Sequence, residues 1–357
     1  MHMTRRLAVL IGLGVVSLPA VALHAASPTP RSPAGDWGPL RILGHEVAPG
    51  QREKLAFEMM PSFVDSLVNT QVVALRGQTP GLTLCITAGI HGDELNGVEI
   101  ARRIAASVDP HTLAGTLIVV PIVNAAGFRS GERNLADRRD LNRAFPGDPE
   151  GSTASRVANA LFEQIIRQCH GLIDLHTEPP RRAALPQTRT DLSDSTSMSM
   201  ARSFGIGVVL DDRGPAGSLR RAALDAGIPA ILYEAGEPRR FQEDEIARGV
   251  EGVRHVMAHL DLIAGEASPP QSVAYRHAQW VRVPTGLGGI FTTPHKPGDT
   301  IAKGEVIGTV VDPINDGRVE IIAPLGGRIV DMAVPQVVLP GSAVFRLAFD
   351  EAPPEND

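Results

Sequence analysis

Short apolar runs alternate with amphipathic helical patterns through most of this 357-residue chain, and that alternation limits the folds available to it. The runs cover residues 82–88, 117–123, 172–175, 206–210 and 230–233. Runs without a polar face are typical of strands that are buried on both sides in a parallel sheet. The sequence therefore predicts an α/β fold with a mixed, mostly parallel sheet flanked by helices.

The clearest helix is predicted over residues 153–168, where apolar residues recur at spacings of three and four behind Ser152 as an N-cap. Residues 41–78 instead alternate β-prone runs with Pro and Gly, which is typical of strands at a sheet edge.

The N-terminus has the pattern of a secretory signal. Arg5 and Arg6 precede an uncharged apolar run over 7–18, and small residues follow. A membrane-spanning helix needs about 20 apolar residues, and Pro19 interrupts this run. We therefore expect a signal peptide over 1–26, no stable membrane span after its cleavage, and a periplasmic or secreted protein.

The composition limits the classes of partner that the protein is expected to bind. The chain has 34 Lys and Arg against 40 Asp and Glu, a net charge of −6, so nucleic acid is not an expected partner. An exported compartment would permit a Cys85–Cys169 bridge. Because Cys85 lies inside an apolar run and Cys169 ends a helical pattern, two buried free thiols are expected instead.

Residues 272–349 follow a Pro-Pro linker and consist of short β-prone runs broken by Gly and Pro. We place a C-terminal all-β domain there. Its segments 289–308 and 323–341 resemble the half-repeats of biotinyl and lipoyl carrier domains, which implies a barrel-sandwich fold. A carrier needs a Lys at the hairpin between the halves, and 311–320 contains none. The expected role is packing or substrate access.

Ionisable side chains follow two of the buried runs. His91 and Glu94 come after the run 82–88, and His176 follows 172–175. Open α/β sheets place ligand sites at the carboxyl ends of their strands. Two imidazoles and a carboxylate suit a divalent cation, and catalytic zinc takes three protein ligands while leaving a position for water. The other histidines are interpreted as surface or packing residues; they include His111, His170, His255, His259 and His295.

A third buried run, 230–233, is followed by Glu234, which is suited to accept a proton from metal-bound water and pass it to a leaving nitrogen. Glu178 and Glu237 compete for this role but lie past their strand ends. The loop 133–147 carries Arg133, Arg138, Arg139 and Arg143. It is either a solvated basic loop or a site for a carboxylate or oxyanion.

Four motifs in this order resemble the succinylglutamate desuccinylase/aspartoacylase family of the zinc carboxypeptidase clan. They are His91-Gly92-Asp93-Glu94, Asp140-Leu141-Asn142-Arg143-Ala144-Phe145-Pro146-Gly147, Asp174-Leu175-His176 and Glu234. The resemblance covers about residues 48–264 and the β-rich tail that members commonly carry. It implies a zinc hydrolase domain over 27–266.

The resemblance also implies residue roles. One zinc ion per chain would be bound by His91, Glu94 and His176, with Glu234 as general base. Asp140 would hydrogen-bond the far nitrogen of His91 and fix its tautomer.

For the substrate, the resemblance implies that Arg143, assisted by Asn142, grips a carboxylate. Arg133 would polarise the scissile carbonyl. Arg138 and Arg139 are further candidates for this role, and Arg138 is also a candidate for substrate binding. Both stand where many relatives have a Gly-containing turn.

The expected activity is cleavage of the amide bond of a small N-acyl amino acid by metal-activated water. An exported carboxypeptidase acting on short peptides or cell-wall fragments is an alternative. It would use the same metal and the same residues to bind the substrate carboxylate. A catalytically decayed binding protein is the alternative from another class. The number of subunits stays open, a homo-oligomer included.

Overall fold

The computed structural model describes residues 37–59, 69–265 and 269–350. The predicted signal peptide lies outside these residues. The helices are α1 (Leu95–Ser107), α2 (Ala125–Ser130), α3 (Thr153–Gln164), α4 (Ser195–Phe204), α5 (Leu219–Asp225) and α6 (Glu243–His259). None of the helices in these three ranges has the length and apolar character needed to cross a membrane.

Twelve strands precede residue 276: β1 (Leu40–Ile42), β2 (His45–Val47), β3 (Gln51–Glu58), β4 (Asn69–Arg76), β5 (Thr79–Ala88), β6 (Ala114–Val120), β7 (Gly171–His176), β8 (Arg182–Ala184), β9 (Gln187–Thr190), β10 (Val208–Asp211), β11 (Ala230–Glu234) and β12 (Val273–Tyr275). Eight follow: β13 (His277–Arg282), β14 (Gly289–Thr292), β15 (Thr300–Ile301), β16 (Val306–Val311), β17 (Arg318–Ile322), β18 (Gly327–Ala333), β19 (Val337–Val338) and β20 (Ala343–Phe349).

The main sheet has nine strands in the order β12-β10-β9-β11-β7-β5-β6-β4-β3. Five of its neighbouring pairs are parallel and three antiparallel. Alternate residues of the central strands pack into two apolar cores, one with α3 and α5 and the other with α1, α4 and α6. This confirms the predicted mixed, mostly parallel sheet flanked by helices.

Local predictions agree with most element positions. The helix predicted over 153–168 is α3, which ends at Gln164 because Ile165 departs from helical geometry; a 3-10 turn over Ile166–Gln168 completes the segment. In the region 41–78, β3 and β4 form the antiparallel edge of the main sheet, as expected.

Cys85 and Cys169 form a disulfide, so the expectation of two free thiols is wrong. Cys85 lies in β5, and Cys169 lies just before β7, the neighbouring strand. The backbone NH of His170 donates to the carbonyl of Thr83 at 2.8 Å and holds the two segments side by side. The Cα atoms of the cysteines are consequently 5.7 Å apart, a normal span for a bridge.

Strands β13–β20 form two antiparallel sheets, ordered β13-β20-β18-β15 and β17-β16-β14-β19, around a shared apolar core. The all-β character of the tail is as predicted. Two strands connect the tail with the rest of the chain. β8, from before the tail, pairs with β18, and β12 forms the edge of the nine-stranded sheet beside β10.

Candidate metal centre and active site

Three neighbouring strands, β5, β7 and β11, end at one edge of the main sheet. Glu234, the last residue of β11, lies opposite His176, the last residue of β7. Ala88, which ends β5, lies opposite Leu175. The chain then turns after β5 and brings His91 and Glu94 into the segment that leads to α1, with Glu94 directly before the helix. The topology thus brings the ends of three predicted runs together.

His91, Glu94 and His176 converge on one point. Nδ1 of His91 lies 2.7 Å from Oε1 of Glu94, and Nδ1 of His176 lies 2.8 Å from Oε2 of the same carboxylate. One ligand atom of each residue lies within 4.8 Å of the others, and all three side chains are buried. The predicted triad is therefore assembled and can hold a metal ion.

The far nitrogens of both imidazoles face carboxylates. Nε2 of His91 lies 3.1 Å from Oδ1 of Asp140, the residue predicted for this position. Nε2 of His176 lies 2.9 Å from Oδ2 of Asp174, whose other oxygen accepts a hydrogen bond from Thr87. Carboxylates in this arrangement fix the tautomer that leaves Nδ1 free to coordinate a metal. Sequence reasoning did not assign Asp174 this role, although its spacing of two residues from His176 puts both on one face of β7.

The electrostatics of the triad fit a cation. Burial alone would lower the pKa of His176, but Asp174 and Glu94 raise it well above its ordinary value. Burial would raise the pKa of Glu94, but His91 and His176 hold it well below its ordinary range. Two imidazoles and an ionised carboxylate form the donor set found in His₂Glu zinc sites, so these residues fit zinc.

Glu234 is buried and paired. Its Oε2 lies 2.7 Å from Nη2 of Arg189, and the same guanidinium nitrogen donates to Oε1 of Glu178 at 3.0 Å. Burial and the nearby Glu234 raise the pKa of Glu178 well above its ordinary value. Glu178 lines the same cavity as Glu234, whereas Glu237 is exposed and does not.

The fold places the arginines of the loop 133–147 in different environments. Arg133 donates from Nη1 to Oε1 of Glu94 at 2.9 Å, which places it beside the triad. Arg143 lines the cavity and is exposed, while Oδ1 of Asn142 accepts a hydrogen bond from the backbone of Leu219. Arg138 is exposed, has a φ of 64° and does not line the cavity, so the structure does not bring it to the candidate site.

The cavity around the triad is small, about 180 Å³. Part of its wall comes from residues that the sequence analysis did not single out. Trp280 and Asp331 belong to the tail, and Arg182 on β8 lies with its guanidinium carbon 4.2 Å from the centre of the Trp280 ring. The tail therefore helps to enclose the candidate site.

Together, the fold and the site define an α/β protein with a His–Glu–His candidate metal centre at its strand ends. The model of the succinylglutamate desuccinylase/aspartoacylase catalytic domain matches residues 80–260, just over half of the chain. The chain belongs to this family.

Among curated relatives, the N-alpha-acetyl-L-2,4-diaminobutyric acid deacetylase of Halomonas elongata is 24% identical over 267 residues, 72% of this chain and 76% of that protein. The succinylglutamate desuccinylase of Pseudomonas aeruginosa is 27% identical over 190 residues, 49% of this chain and 57% of that protein.

Solved structures show the same fold. The succinylglutamate desuccinylase/aspartoacylase of Rhodobacter sphaeroides superposes with a TM-score of 0.72 at 24% identity, covering 80% of this chain and 90% of that one. A product-bound ectoine utilization protein from Ruegeria pomeroyi gives 0.71 at 22% identity, covering 79% and 89%.

Proposed function

We propose that this protein is a zinc-dependent deacylase that hydrolyses the amide bond of a small N-acyl amino acid. The observation that carries the proposal is the convergence of His91, Glu94 and His176 beside the buried carboxylate of Glu234. The names of the relatives from H. elongata and P. aeruginosa describe deacylases of N-acyl amino acids.

Zinc in this triad would supply a Lewis acid that lowers the pKa of bound water and polarises a carbonyl. Glu234, held by Arg189, accepts the proton of the attacking water and delivers it to the leaving nitrogen. Arg133 hydrogen-bonds the carbonyl oxygen as negative charge develops there. Arg143, on a loop that Asn142 anchors to α5, binds the substrate carboxylate.

The cavity size favours a deacylase with a small substrate over a carboxypeptidase that acts on short peptides or cell-wall fragments. Pockets for drug-sized ligands are commonly about 300–1,000 Å³, whereas this one is about 180 Å³ and is walled by the tail. A decayed binding protein would not need the triad, the carboxylates behind both histidines and Glu234 all in place.

We further propose that the protein is exported after cleavage near residue 26. The Cys85–Cys169 disulfide supports an oxidising compartment. The hydrolase domain over 27–266 and a barrel-sandwich tail over 272–349 without a prosthetic group are part of the same proposal. The two sheets of the tail are compatible with such a fold.

The central experiment is Glu234→Gln. With N-acetyl amino acids as substrates, we expect kcat to fall about a hundredfold or more, the usual scale for losing a general base. Metal analysis should give one zinc per chain in both proteins. Glu237→Gln, at the exposed competitor, serves as control and should keep wild-type turnover. Full activity in Glu234→Gln would contradict the mechanism, and absence of stoichiometric zinc from the active wild type would contradict the metal.

A further inference from the structure

We infer that the substrate carries a single carboxylate, so that its acyl group is uncharged and its amino-acid part has no second acid. This inference rests on the proposed function and names the N-acyl amino acids that the site accepts. It comes from how the arginines around the cavity are paired.

Five arginines line the cavity: Arg133, Arg143, Arg182, Arg189 and Arg220. Five carboxylates line it as well: Glu94, Glu178, Asp212, Glu234 and Asp331. A cationic wall of this size would suit a polyanionic substrate only if its guanidinium groups were free. The ion pairs show that most are not.

The three inner arginines are already paired; Arg220 is buried, and Arg182 and Arg189 are half-buried. Arg182 lies 3.0 Å from Oδ1 of Asp331, and Arg220 lies 3.2 Å from Oδ1 of Asp212. Arg189 is shared between Glu234 and Glu178, as described above. Their side chains are 4–19% exposed, so solvent screens these pairs weakly.

Arg133 is also paired, with Glu94 at 2.9 Å, and in the proposed function its remaining donors serve the scissile carbonyl. Arg143 differs from the other four. Within residues 37–59, 69–265 and 269–350, no carboxylate oxygen lies within 4.0 Å of its guanidinium nitrogens, and the residue is exposed at the cavity. Its Nη1 donates to the backbone carbonyl of Asn142 at 2.7 Å, so it can bind a substrate carboxylate without breaking an ion pair.

A second carboxylate would have to take an arginine from an existing pair. Breaking the Arg182–Asp331 pair would leave Asp331, which is 1% exposed, as a buried charge without its partner. Removing one member of a buried ion pair is strongly unfavourable. An uncharged acyl group such as acetyl makes no such demand, whereas a succinyl group does.

The first test compares N-acetyl and N-succinyl derivatives of the same monocarboxylic amino acids with the zinc-loaded wild type. We expect kcat/KM to be at least about tenfold higher for each N-acetyl compound, the scale of one charge-assisted hydrogen bond. N-acetylglutamate should be disfavoured in the same way against N-acetylglutamine. Equal or better turnover of the dicarboxylates overturns this inference alone. Turnover of none of the compounds overturns it together with the proposed function.

The second test releases one inner arginine. Asp331→Asn removes the charge that neutralises Arg182, and we expect the preference for N-acetyl over N-succinyl substrates to shrink about tenfold. The matched control is the double variant Arg182→Met with Asp331→Leu, which removes the pair together and should keep the wild-type preference. An unchanged preference in a folded Asp331→Asn protein overturns the pairing argument. Should that variant not fold, the wild-type comparison decides alone.

Discussion

Residues behind the candidate metal ligands shape the candidate centre. Asp174 contacts Nε2 of His176 and is itself held by Thr87 on β5, so the orientation of one ligand depends on two neighbouring strands. The charge of this carboxylate also makes His176 more basic and therefore a better ligand.

We predict that Asp174→Asn weakens zinc binding about 10–100-fold, as is usual when such a partner is lost. Chelator competition on purified protein measures the dissociation constant. Asp350→Asn, an exposed change in the tail, is the control. Wild-type affinity in Asp174→Asn would show that Asp174 does not orient the ligand.

Asp212 gives a prediction about pH. Burial alone would raise its pKa, but Arg220, Arg189 and Arg346 outweigh burial and lower it to about 2 from an ordinary 3.8. A depressed carboxyl pKa stabilises the fold above the unfolded value, and the contribution is lost as the pH falls through the folded value.

Asp212→Asn should therefore reduce the free energy of unfolding by about 2 kcal/mol at pH 6. The difference from wild type should be about half as large at pH 3, because the unfolded-state carboxyl is mostly protonated there. Urea unfolding at both values measures it, with Asp350→Asn as reference. A difference that does not depend on pH would contradict the argument.

At the scale of elements, α1 and β7 approach closely because of Gly97. A Cβ at this position would lie 2.8 Å from the carbonyl oxygen of Leu175 and 3.0 Å from its Cβ. Leu175 directly precedes His176, and Glu94 directly precedes α1. The helix–strand contact therefore sets the distance between two of the candidate ligands.

Gly97→Ala should push α1 away from β7. We expect a loss of about 1–3 kcal/mol in the free energy of unfolding, typical of overpacking, together with weaker zinc binding. Ala has a better helix propensity than Gly by about 1 kcal/mol. This difference offsets part of the loss in the free energy of unfolding, and it does not offset the loss in zinc affinity. Gly207→Ala, with nothing within 4 Å of the added Cβ, is the control. If the free energy of unfolding and the zinc affinity were unchanged, the contact between α1 and β7 would have room for the added Cβ.

The secondary-structure elements differ in how well they could be predicted from the sequence. β5, β7, β11 and α3 could be predicted because each has a predominantly apolar run or a clear helical period. β9, with the sequence Gln-Thr-Arg-Thr, could not, because its buried residues are polar and no apolar run marks the strand. Arg189 therefore escaped notice, although it contacts the predicted general base.

The same distinction applies to the site. The candidate ligands lie at the end of a strand or in the segment after it, so their convergence could be predicted from the order of the motifs. Trp280 and Asp331 reach the cavity only because the tail packs over it, which no local pattern indicates. The disulfide was missed for a similar reason, since its geometry depends on β5 and β7 being neighbours.

At the scale of the molecule, the disulfide joins segments 84 residues apart. We predict that reduction lowers the free energy of unfolding by about 2–5 kcal/mol. Urea unfolding with and without reductant measures this. The double variant Cys85→Ala with Cys169→Ala should be insensitive to reductant. Equal wild-type midpoints in both conditions would show that the bridge does not contribute to stability.

The exchange of strands between the tail and the rest of the chain has a practical consequence. A product truncated after residue 265 would lack β12 and β18, so the backbone edges of β10 and β8 would lose their pairing partners. Unpaired edges of this kind promote self-association. Anyone trimming this protein for crystallisation or biotechnology should therefore expect an aggregating fragment, not a compact minimal hydrolase.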